Sequence, residues 1–225
     1  MPLLNDQIKG QLEKEFKSLE GKVKLVVFTQ EFECQYCGEN RMLAEEVAAF
    51  SDKLSVEVYD FKADKEKVEK YRIDKIPAMV VEGEKDYGIR FYGLPAGYEF
   101  SSLVEAIKMV SSGESGLSDY SKHALKRLNK PVRIQVFVTL TCPYCPLAVQ
   151  LANKAAMESD LITSEMVEAA EFPHLANKYK VFAVPKVVIN EDIQFEGALP
   201  EHAFVEQILK AMEGGKGAEE ERIYY

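Results

Sequence analysis

The sequence predicts an α/β protein made of two tandem units, each with a central mixed β-sheet flanked by helices. The first observation is an internal repeat, because "CQYC" at residues 34–37 recurs 108 residues later (142 − 34) as "CPYC" at residues 142–145. At the same offset, "KYRIDKIPAMVV" (70–81) recurs as "KYKVFAVPKVVI" (178–189). The second observation is that helical and strand patterns alternate along both halves, which is typical of an α/β fold.

A Ser- and Gly-rich stretch between the repeats, "SSGESGLS" (111–118), marks the predicted boundary. We therefore predict a first unit at residues 1–113, which contains CQYC, and a second unit at residues 114–225, which contains CPYC. The chain has 225 residues, of which 47% are apolar, and this is enough to form a packed core in each unit.

Each unit begins with a helical pattern and continues with a buried strand. Apolar residues recur at helical spacing in residues 8–19 and 120–128, and Ser118 or Asp119 is the candidate cap of the second helix. Continuous apolar runs then predict a strand that leads directly into the CxxC motif. These runs are "VKLVVFT" (23–29) and "VRIQVFVT" (132–139).

The remaining elements follow in the same order in both units. A helix after the CxxC motif leads to an alternating strand, which is clear in "LSVEVYDF" (54–61) and weaker in "LITSEMVE" (161–168). A short helix, a proline-containing segment, two short strands ending at Gly93 or Gly197, and an amphipathic helix complete each unit. After the first helix, the predicted order is therefore β-α-β-α-β-β-α in both units.

Charge and hydropathy exclude several classes of function. The formal net charge is −9, whereas a nucleic-acid surface requires clustered Lys and Arg. The apolar runs are far shorter than the ~20 residues of a membrane span, and residues 1–16 lack the apolar segment of a secretory signal. We therefore expect a cytoplasmic protein that binds neither nucleic acid nor membranes. Its Lys- and Glu-rich runs are also typical of thermophilic proteins.

The spacing of the four cysteines disfavours a metal site. Cys37 and Cys142 are separated by 104 residues (142 − 37 − 1), whereas zinc ribbons join their two pairs across about 15–20 residues. The same separation disfavours an iron–sulfur cluster. The three histidines, His123, His174 and His202, are distant from both pairs in sequence. We expect no metal ion.

A pair of cysteines three positions apart is better suited to redox chemistry than to structural cross-linking. Closing so short a loop removes little entropy from the unfolded chain. At the start of a helix, however, free N–H groups and the helix dipole stabilise a thiolate, and a second thiol one turn later attacks mixed disulfides. We predict Cys142 as the exposed nucleophile at the helix cap, Pro143 at the first helical position, and Cys145 as the buried resolving thiol. Cys34 and Cys37 are predicted to have the same roles.

A proline about 40 residues after each CxxC motif completes the predicted site. Ile76-Pro77 and Val184-Pro185 each follow a short helix and open a strand, which fits a cis X-Pro turn. The proline would pack against the disulfide, and the preceding residue would pair with an extended substrate as an added strand. The alternative is an ordinary proline at a strand edge. We therefore predict these four residues as the substrate-binding positions.

Together, these motifs resemble known redox families. A strand-CxxC-helix followed by an X-Pro-strand resembles the thioredoxin fold, and "CPYC" resembles the glutaredoxin active site. Two tandem units with CQYC and CPYC resemble the protein disulfide oxidoreductases of hyperthermophilic archaea and bacteria. The resemblance covers essentially the whole chain. It implies dithiol–disulfide exchange on protein substrates, by oxidation, reduction or isomerisation. It also implies two redox-active disulfides, Cys34-Cys37 and Cys142-Cys145, in place of a cofactor, and a thioredoxin-reductase-like or peroxiredoxin partner.

The chain also departs from these families. Glutaredoxins have Thr before Val-Pro and a later Gly-Gly, whereas this chain has Ala183 and "FEGALP" (195–200), so glutathione dependence is not implied. Thioredoxins place a buried Asp in the strand before CxxC, whereas neither of these strands contains Asp, and their polar residues include Lys24 and Gln135. Glu31 is a candidate proton acceptor for the resolving thiol, and a solvated loop carboxylate is the alternative.

The two sites differ in charge. Glu31, Glu33 and Glu39 surround the first motif, whereas the second has no carboxylate nearby in sequence. Because negative neighbours disfavour thiolates, we predict that the first pair has the lower redox potential and passes electrons to the second pair, which reacts with substrates. Two other functions stay open. One is a dedicated electron-transfer module for a single partner such as a peroxiredoxin, and the other is a chaperone-like binding protein that does not use its cysteines.

Overall fold

The computed structural model of the chain describes residues 3–212. In the first unit the helices are α1 (Asp6–Glu15), α2 (Cys37–Ala48), α3 (Lys65–Tyr71) and α4 (Glu99–Ser112), and the strands are β1 (Val23–Thr29), β2 (Leu54–Asp60), β3 (Ala78–Glu82) and β4 (Asp86–Tyr92). The order of elements that the sequence predicts is confirmed.

The second unit repeats this arrangement. Its helices are α5 (Asp119–Leu125), α6 (Cys145–Glu158), α7 (Pro173–Lys178) and α8 (Glu201–Lys210), and its strands are β5 (Val132–Val138), β6 (Ile162–Glu168), β7 (Lys186–Ile189) and β8 (Ile193–Glu196). Ser118 caps α5, because its side chain accepts a hydrogen bond from the backbone N–H of Ser121. The Gly-rich stretch 214–221, for which we expect fraying, lies outside the described residues.

The strands of both units form one eight-stranded sheet in the order β2-β1-β3-β4-β6-β5-β7-β8. The units join where β4 pairs with β6 in parallel, with Ile89 opposite Ser164 and Tyr92 opposite Val167. The predicted boundary at residues 113 and 114 lies between α4 and α5, and the sheet is continuous between the units. The sequence does not reveal this joint, because the hydrophobic pattern of an edge strand does not identify the strand with which it pairs.

Helices cover both faces of the sheet, and the side chains of β1 show how the core is divided. Leu25 and Val27 point into one apolar cluster, whereas Val26 and Phe28 point into the other, as the two-residue period of a strand requires. On the first face, α4 of the first unit packs against α6 of the second. The larger of the two cores therefore belongs to both units.

The position of β6 explains why its sequence alternates weakly. This strand pairs with β4 on one side and β5 on the other, so it lies in the middle of the sheet and is covered on both faces. Six of its seven residues are buried, including Ser164, Glu165 and Glu168. A strand buried on both faces loses the polar-apolar alternation of a half-exposed one. No helix within residues 3–212 is long and apolar enough to cross a membrane.

Candidate active site

Both CxxC motifs follow strands that end at the same edge of the sheet. β1 leads to Cys34 and β5 leads to Cys142, and these two strands are four positions apart in the strand order. At about 4.8 Å per strand, the sites are separated by roughly 19 Å. Each site also lies beside a proline turn, because the strand after each proline, β3 or β7, pairs with β1 or β5.

At the second site, the structure brings three of the predicted residues together. The Cys142 sulfur accepts a hydrogen bond from the Cys145 N–H at 3.2 Å. The Cys142 thiol also faces the carbonyl oxygen of Val184 at 3.7 Å. The Val184-Pro185 peptide bond is cis, as predicted. The predicted nucleophile, the predicted resolving residue and the backbone of the proline turn are therefore in contact.

Two details of the second site differ from the prediction. Helix α6 begins at Cys145 with Tyr144 as its cap, so Pro146 rather than Pro143 lies in the first turn. The reason is that the Cys142 N–H bonds to the carbonyl of Thr139, which closes a tight turn before the helix. Cys142 is also nearly buried, with 9% of its surface accessible, whereas Cys145 is fully buried. The predicted order of accessibility is kept, but the predicted degree of exposure is wrong.

The first site has the same local plan in a different redox state. Cys34 and Cys37 form a disulfide, whereas Cys142 and Cys145 are free thiols, so the second disulfide that we expected is open in this structure. Helix α2 begins at Cys37, which is buried, and Cys34 is half-buried. The Ile76-Pro77 bond is cis, as predicted.

A buried carboxyl group from the first unit lies beside the second site. The Tyr98 N–H donates a hydrogen bond to the Leu140 carbonyl, two residues before Cys142, at 3.0 Å. The next residue, Glu99, opens α4 and is fully buried. Its Oε2 accepts a hydrogen bond from the Ser102 hydroxyl at 2.7 Å, and its Oε1 has no partner among residues 3–212. Burial raises the pKa of Glu99 to about 7.

The environment of Cys145 keeps this thiol protonated. Burial raises its pKa far above the usual value, and the hydrogen bond with Cys142 acts in the same direction. The charge of Glu99 raises the Cys145 pKa further, whereas a backbone hydrogen bond from Thr139 lowers it. A thiol in this environment needs a nearby base before it can act as a nucleophile. Glu99 is close enough for its charge to act on this thiol, and its pKa is near neutrality.

Sequence reasoning missed Glu99 because it lies 43 residues before Cys142 (142 − 99) and in the other unit. Its one sequence signal, an acidic residue at the start of an amphipathic helix, is shared by ordinary helix caps. The predicted candidate, Glu31, is exposed in the loop before Cys34, as a solvated carboxylate would be. Glu33 and Glu39 are exposed as well.

Comparison with known proteins places the chain in a family. Residues 132–210 match the family described as thioredoxin domain. A protein disulfide oxidoreductase from Aeropyrum pernix K1 superposes with a TM-score of 0.90 and is 32% identical, covering 95% of this chain and 96% of that one. The chain belongs to the protein disulfide oxidoreductases. This confirms the resemblance that CQYC and CPYC indicate, and with it the tandem thioredoxin-like architecture.

Members of a second group are also similar to this oxidoreductase. The NTD_N/C domain of the alkyl hydroperoxide reductase AhpF from Enterococcus faecalis superposes with a TM-score of 0.85 at 28% identity, covering 91% of this chain and 99% of that one. The corresponding alkyl hydroperoxide reductase from Staphylococcus aureus is 30% identical over 84% of this chain and 34% of its own length. The chain spans 30–40% of the length of the curated relatives that it matches.

The surfaces around the two sites of the oxidoreductase differ. Phe182, two residues before Val184, is 89% exposed. Two further exposed apolar side chains, Tyr144 and Leu147, lie on either side of Cys145 in sequence. At the first site, the residue that matches Phe182 is Asp74 (182 − 108), which forms an ion pair with Arg133 at 2.6 Å. These side chains form an apolar rim at the second site. The first site also has exposed apolar side chains, Phe32 and Tyr36, but the loop that matches Phe182 is engaged there with the second unit.

No group of three metal-binding side chains occurs within residues 3–212. His202 stacks on Tyr120 and His174 packs edge-on against Phe172.

Proposed function

We propose that the protein catalyses dithiol–disulfide exchange on protein substrates, in the oxidising, reducing or isomerising direction. Cys142 and Cys145 are the redox couple that reacts with these substrates. The observation that carries this proposal is the contact of the Cys142 sulfur with both the Cys145 N–H and the Val184 carbonyl. One sulfur is thereby placed beside its resolving partner and beside backbone that can pair with an extended chain. The apolar rim supports a polypeptide as the substrate, because large exposed apolar side chains mark protein-binding surfaces.

The proposed reaction begins when the Cys142 thiolate attacks one sulfur of a substrate disulfide. A bond forms between Cys142 and that sulfur, the substrate disulfide breaks, and the other substrate sulfur leaves as a thiolate that takes a proton from solvent. Because Cys142 no longer carries a proton, the Val184 carbonyl is free to accept an N–H from the substrate backbone, as in strand addition. Pro185 fixes the direction of this carbonyl.

Resolution requires that Cys145 lose its proton in a buried site. We assign the acceptor as Glu99, whose ionised form is disfavoured by burial and which therefore takes up a proton readily near pH 7. The Cys145 thiolate then attacks the Cys142 sulfur, a Cys142–Cys145 disulfide forms, and the remaining substrate sulfur leaves as a thiolate. Two electrons pass from the protein dithiol to the substrate. Oxidation of a substrate is the reverse sequence.

The first site is proposed as a second redox couple, with Cys34 as the accessible sulfur and Cys37 as the buried one. Its proline turn, Ile76-Pro77, would bind substrate in the same way as the turn of the second site. The engagement of Asp74 with Arg133 supports a narrower choice of partners at this site, because the loop has less freedom to adapt.

Regeneration of the dithiol requires an external reductant, and we propose a thioredoxin-reductase-like partner in the cytoplasm. A second candidate function follows from the similarity to the alkyl hydroperoxide reductases. In this alternative the protein is an electron carrier for one partner, such as a peroxiredoxin. Rapid exchange with that partner and poor activity on general protein disulfides would distinguish it.

Dithiothreitol-driven reduction of insulin disulfides tests the proposal. The wild type is compared with Cys34→Ser/Cys37→Ser and with Cys142→Ser/Cys145→Ser. We expect the second double variant to lose most of the activity and the first to retain most of it. If all three proteins match the uncatalysed rate, the general oxidoreductase function is wrong and the single-partner carrier is favoured.

A further inference from the structure

Asn40 of α2 is fully buried, and neither polar atom of its side-chain amide has a hydrogen-bond partner among residues 3–212. Its backbone N–H is satisfied by the Tyr36 carbonyl at 2.9 Å, so the unpaired groups belong to the side chain alone. A buried amide without a partner destabilises a fold, and few native groups are left in this state. Such a group needs a physical reason at this position.

The position of Asn40 relative to Cys37 suggests the reason. Cys37 is the first residue of α2, and Asn40 follows it by three positions, on the same face of the helix. Helical side chains lean toward the helix N-terminus, so the amide lies over the turn that contains Cys37. Both residues are buried on this face. In the disulfide, the Cys37 sulfur is neutral and a weak acceptor, whereas a thiolate is a strong one.

We propose that the Asn40 amide is the hydrogen-bond donor that stabilises the thiolate released at Cys37 when the first disulfide opens. This inference rests on the proposed function, because Cys37 carries a thiolate only if the first disulfide is a redox couple. The amide is unpaired in this structure because its acceptor forms only on reduction.

A dithiol reductant opens the first disulfide in two exchanges. One thiolate of the reductant attacks the half-buried Cys34 sulfur, the Cys34–Cys37 bond breaks, and Cys37 leaves with the electron pair as a thiolate. The Asn40 N–H donates to this thiolate. The second thiol of the reductant, after losing its proton to solvent, then attacks the mixed disulfide and releases Cys34 as a thiolate. The reductant becomes a disulfide, and the protein gains two electrons.

The second site lacks this donor. The residue that matches Asn40 is Ala148 (40 + 108), which is fully buried on α6. Cys145 instead has the carboxyl group of Glu99 nearby, whose charge disfavours a thiolate. The two sites therefore differ in the group that they place near the sulfur of the buried cysteine, Cys37 or Cys145. The first supplies a neutral donor to a thiolate, whereas the second supplies an acceptor for a proton.

The test is the equilibrium between the first disulfide and dithiothreitol in a Cys142→Ser/Cys145→Ser background, which leaves one couple to measure. We expect Asn40→Ala to lower the equilibrium constant for reduction by about tenfold or more, because a hydrogen bond to a charged group is lost, and to slow reduction as well. Asn40→Leu, which keeps the number and branching of the side-chain heavy atoms and removes the donor, is expected to give the same shift. The matched control is Asn153→Ala, because Asn153 is a buried residue of α6 whose Nδ2 is also unpaired; we expect no shift.

The outcomes separate the inference from the function on which it rests. An unshifted equilibrium constant in both Asn40 variants would overturn the inference, because an amide that is merely structural affects the oxidised and reduced states equally. An equal shift in Asn153→Ala would overturn it too. If the folded wild type cannot be reduced at this site by any concentration of dithiothreitol, the proposed function of the first site fails instead.

Discussion

Glu99→Gln is predicted to stabilise the protein and to slow its reaction at the same time. Burial raises the pKa of Glu99 from 4.5 to about 7, which corresponds to about 3 kcal/mol of free energy lost when the folded protein must ionise this group. Because the pKa is higher in the folded state, protonation of Glu99 stabilises the folded protein. This contribution is complete below pH 4.5 and is lost as the pH rises through about 7. Gln has nearly the same shape and does not ionise.

Urea denaturation of the reduced wild type and of Glu99→Gln at pH 5 and pH 8.5 measures this effect. We expect nearly equal free energies of unfolding at pH 5 and a gain for the variant of up to about 3 kcal/mol at pH 8.5. In single-turnover reactions, the same variant should resolve the mixed disulfide about 100-fold more slowly and lose the rise in rate near pH 7. Glu171→Gln is the control for the rate, because burial also raises the pKa of Glu171 to about 7 but the proposed reaction gives this residue no role. A stability difference that does not depend on pH, together with an unchanged rate, would refute the role of Glu99.

Two further predictions concern the surface and the joint between the units. Because Phe182 is 89% exposed, Phe182→Ser should leave stability unchanged but raise the KM for insulin by about fivefold. The KM for the small substrate hydroxyethyl disulfide should not change. An equal effect on both substrates would contradict a docking role for Phe182. Arg133 bonds to Asp74 and to Glu165, whose side chain is 4% exposed, so Arg133→Ala should cost about 2 kcal/mol in urea denaturation. A loss below about 0.5 kcal/mol would show that the interaction between Lys75 and Glu165 suffices.

The predicted difference in redox potential between the sites stays a prediction. Glu33 and Glu39 are exposed, and Glu33 is paired with Lys62 at 3.6 Å, so solvent and the Lys62 charge weaken their effect on the first site. The proposed donor, Asn40, acts in the opposite direction. Redox titration of each site with and without Asn40→Ala separates the contribution of the carboxylates from that of Asn40. If the first site of the Asn40→Ala variant has a higher redox potential than the second site, the prediction is contradicted.

Electron transfer from the first site to the second also stays a prediction, and the fold limits how it could occur. Thiol–disulfide exchange requires contact between sulfur atoms, whereas the sites are roughly 19 Å apart on one sheet. Transfer would therefore require a substrate that visits both sites or a second copy of the chain.

The repeat made most of the fold predictable. Two copies of each pattern at one offset confirm each other, so the order of strands and helices and both cis prolines followed from the sequence. The helix start at Cys145 did not, because Pro143 fits a first helical turn as well as Pro146 does, and the hydrogen bond from Cys142 to Thr139 that decides between them is a tertiary detail.

The residue of the second site that sequence reasoning missed, Glu99, lies across the joint between the units. Glu99 belongs to the first unit by sequence and to the second site in space, because α4 packs against α6. Periodicity identifies which face of a helix is buried, but not which side chain of a neighbouring unit shares that space. For the same reason, the single sheet could not be predicted from two units that each have a complete set of strands.

Trapping a mixed disulfide tests the central claim most directly. Cys145→Ser removes the resolving thiol and leaves the proposed nucleophile in place, so incubation with a disulfide-containing protein should accumulate a covalent adduct. Mass spectrometry of its peptides is expected to show Cys142 bonded to the substrate, with no such adduct in Cys142→Ser. Adducts through Cys34 alone, or no adduct in Cys145→Ser, would contradict the proposal that the second site reacts with protein substrates.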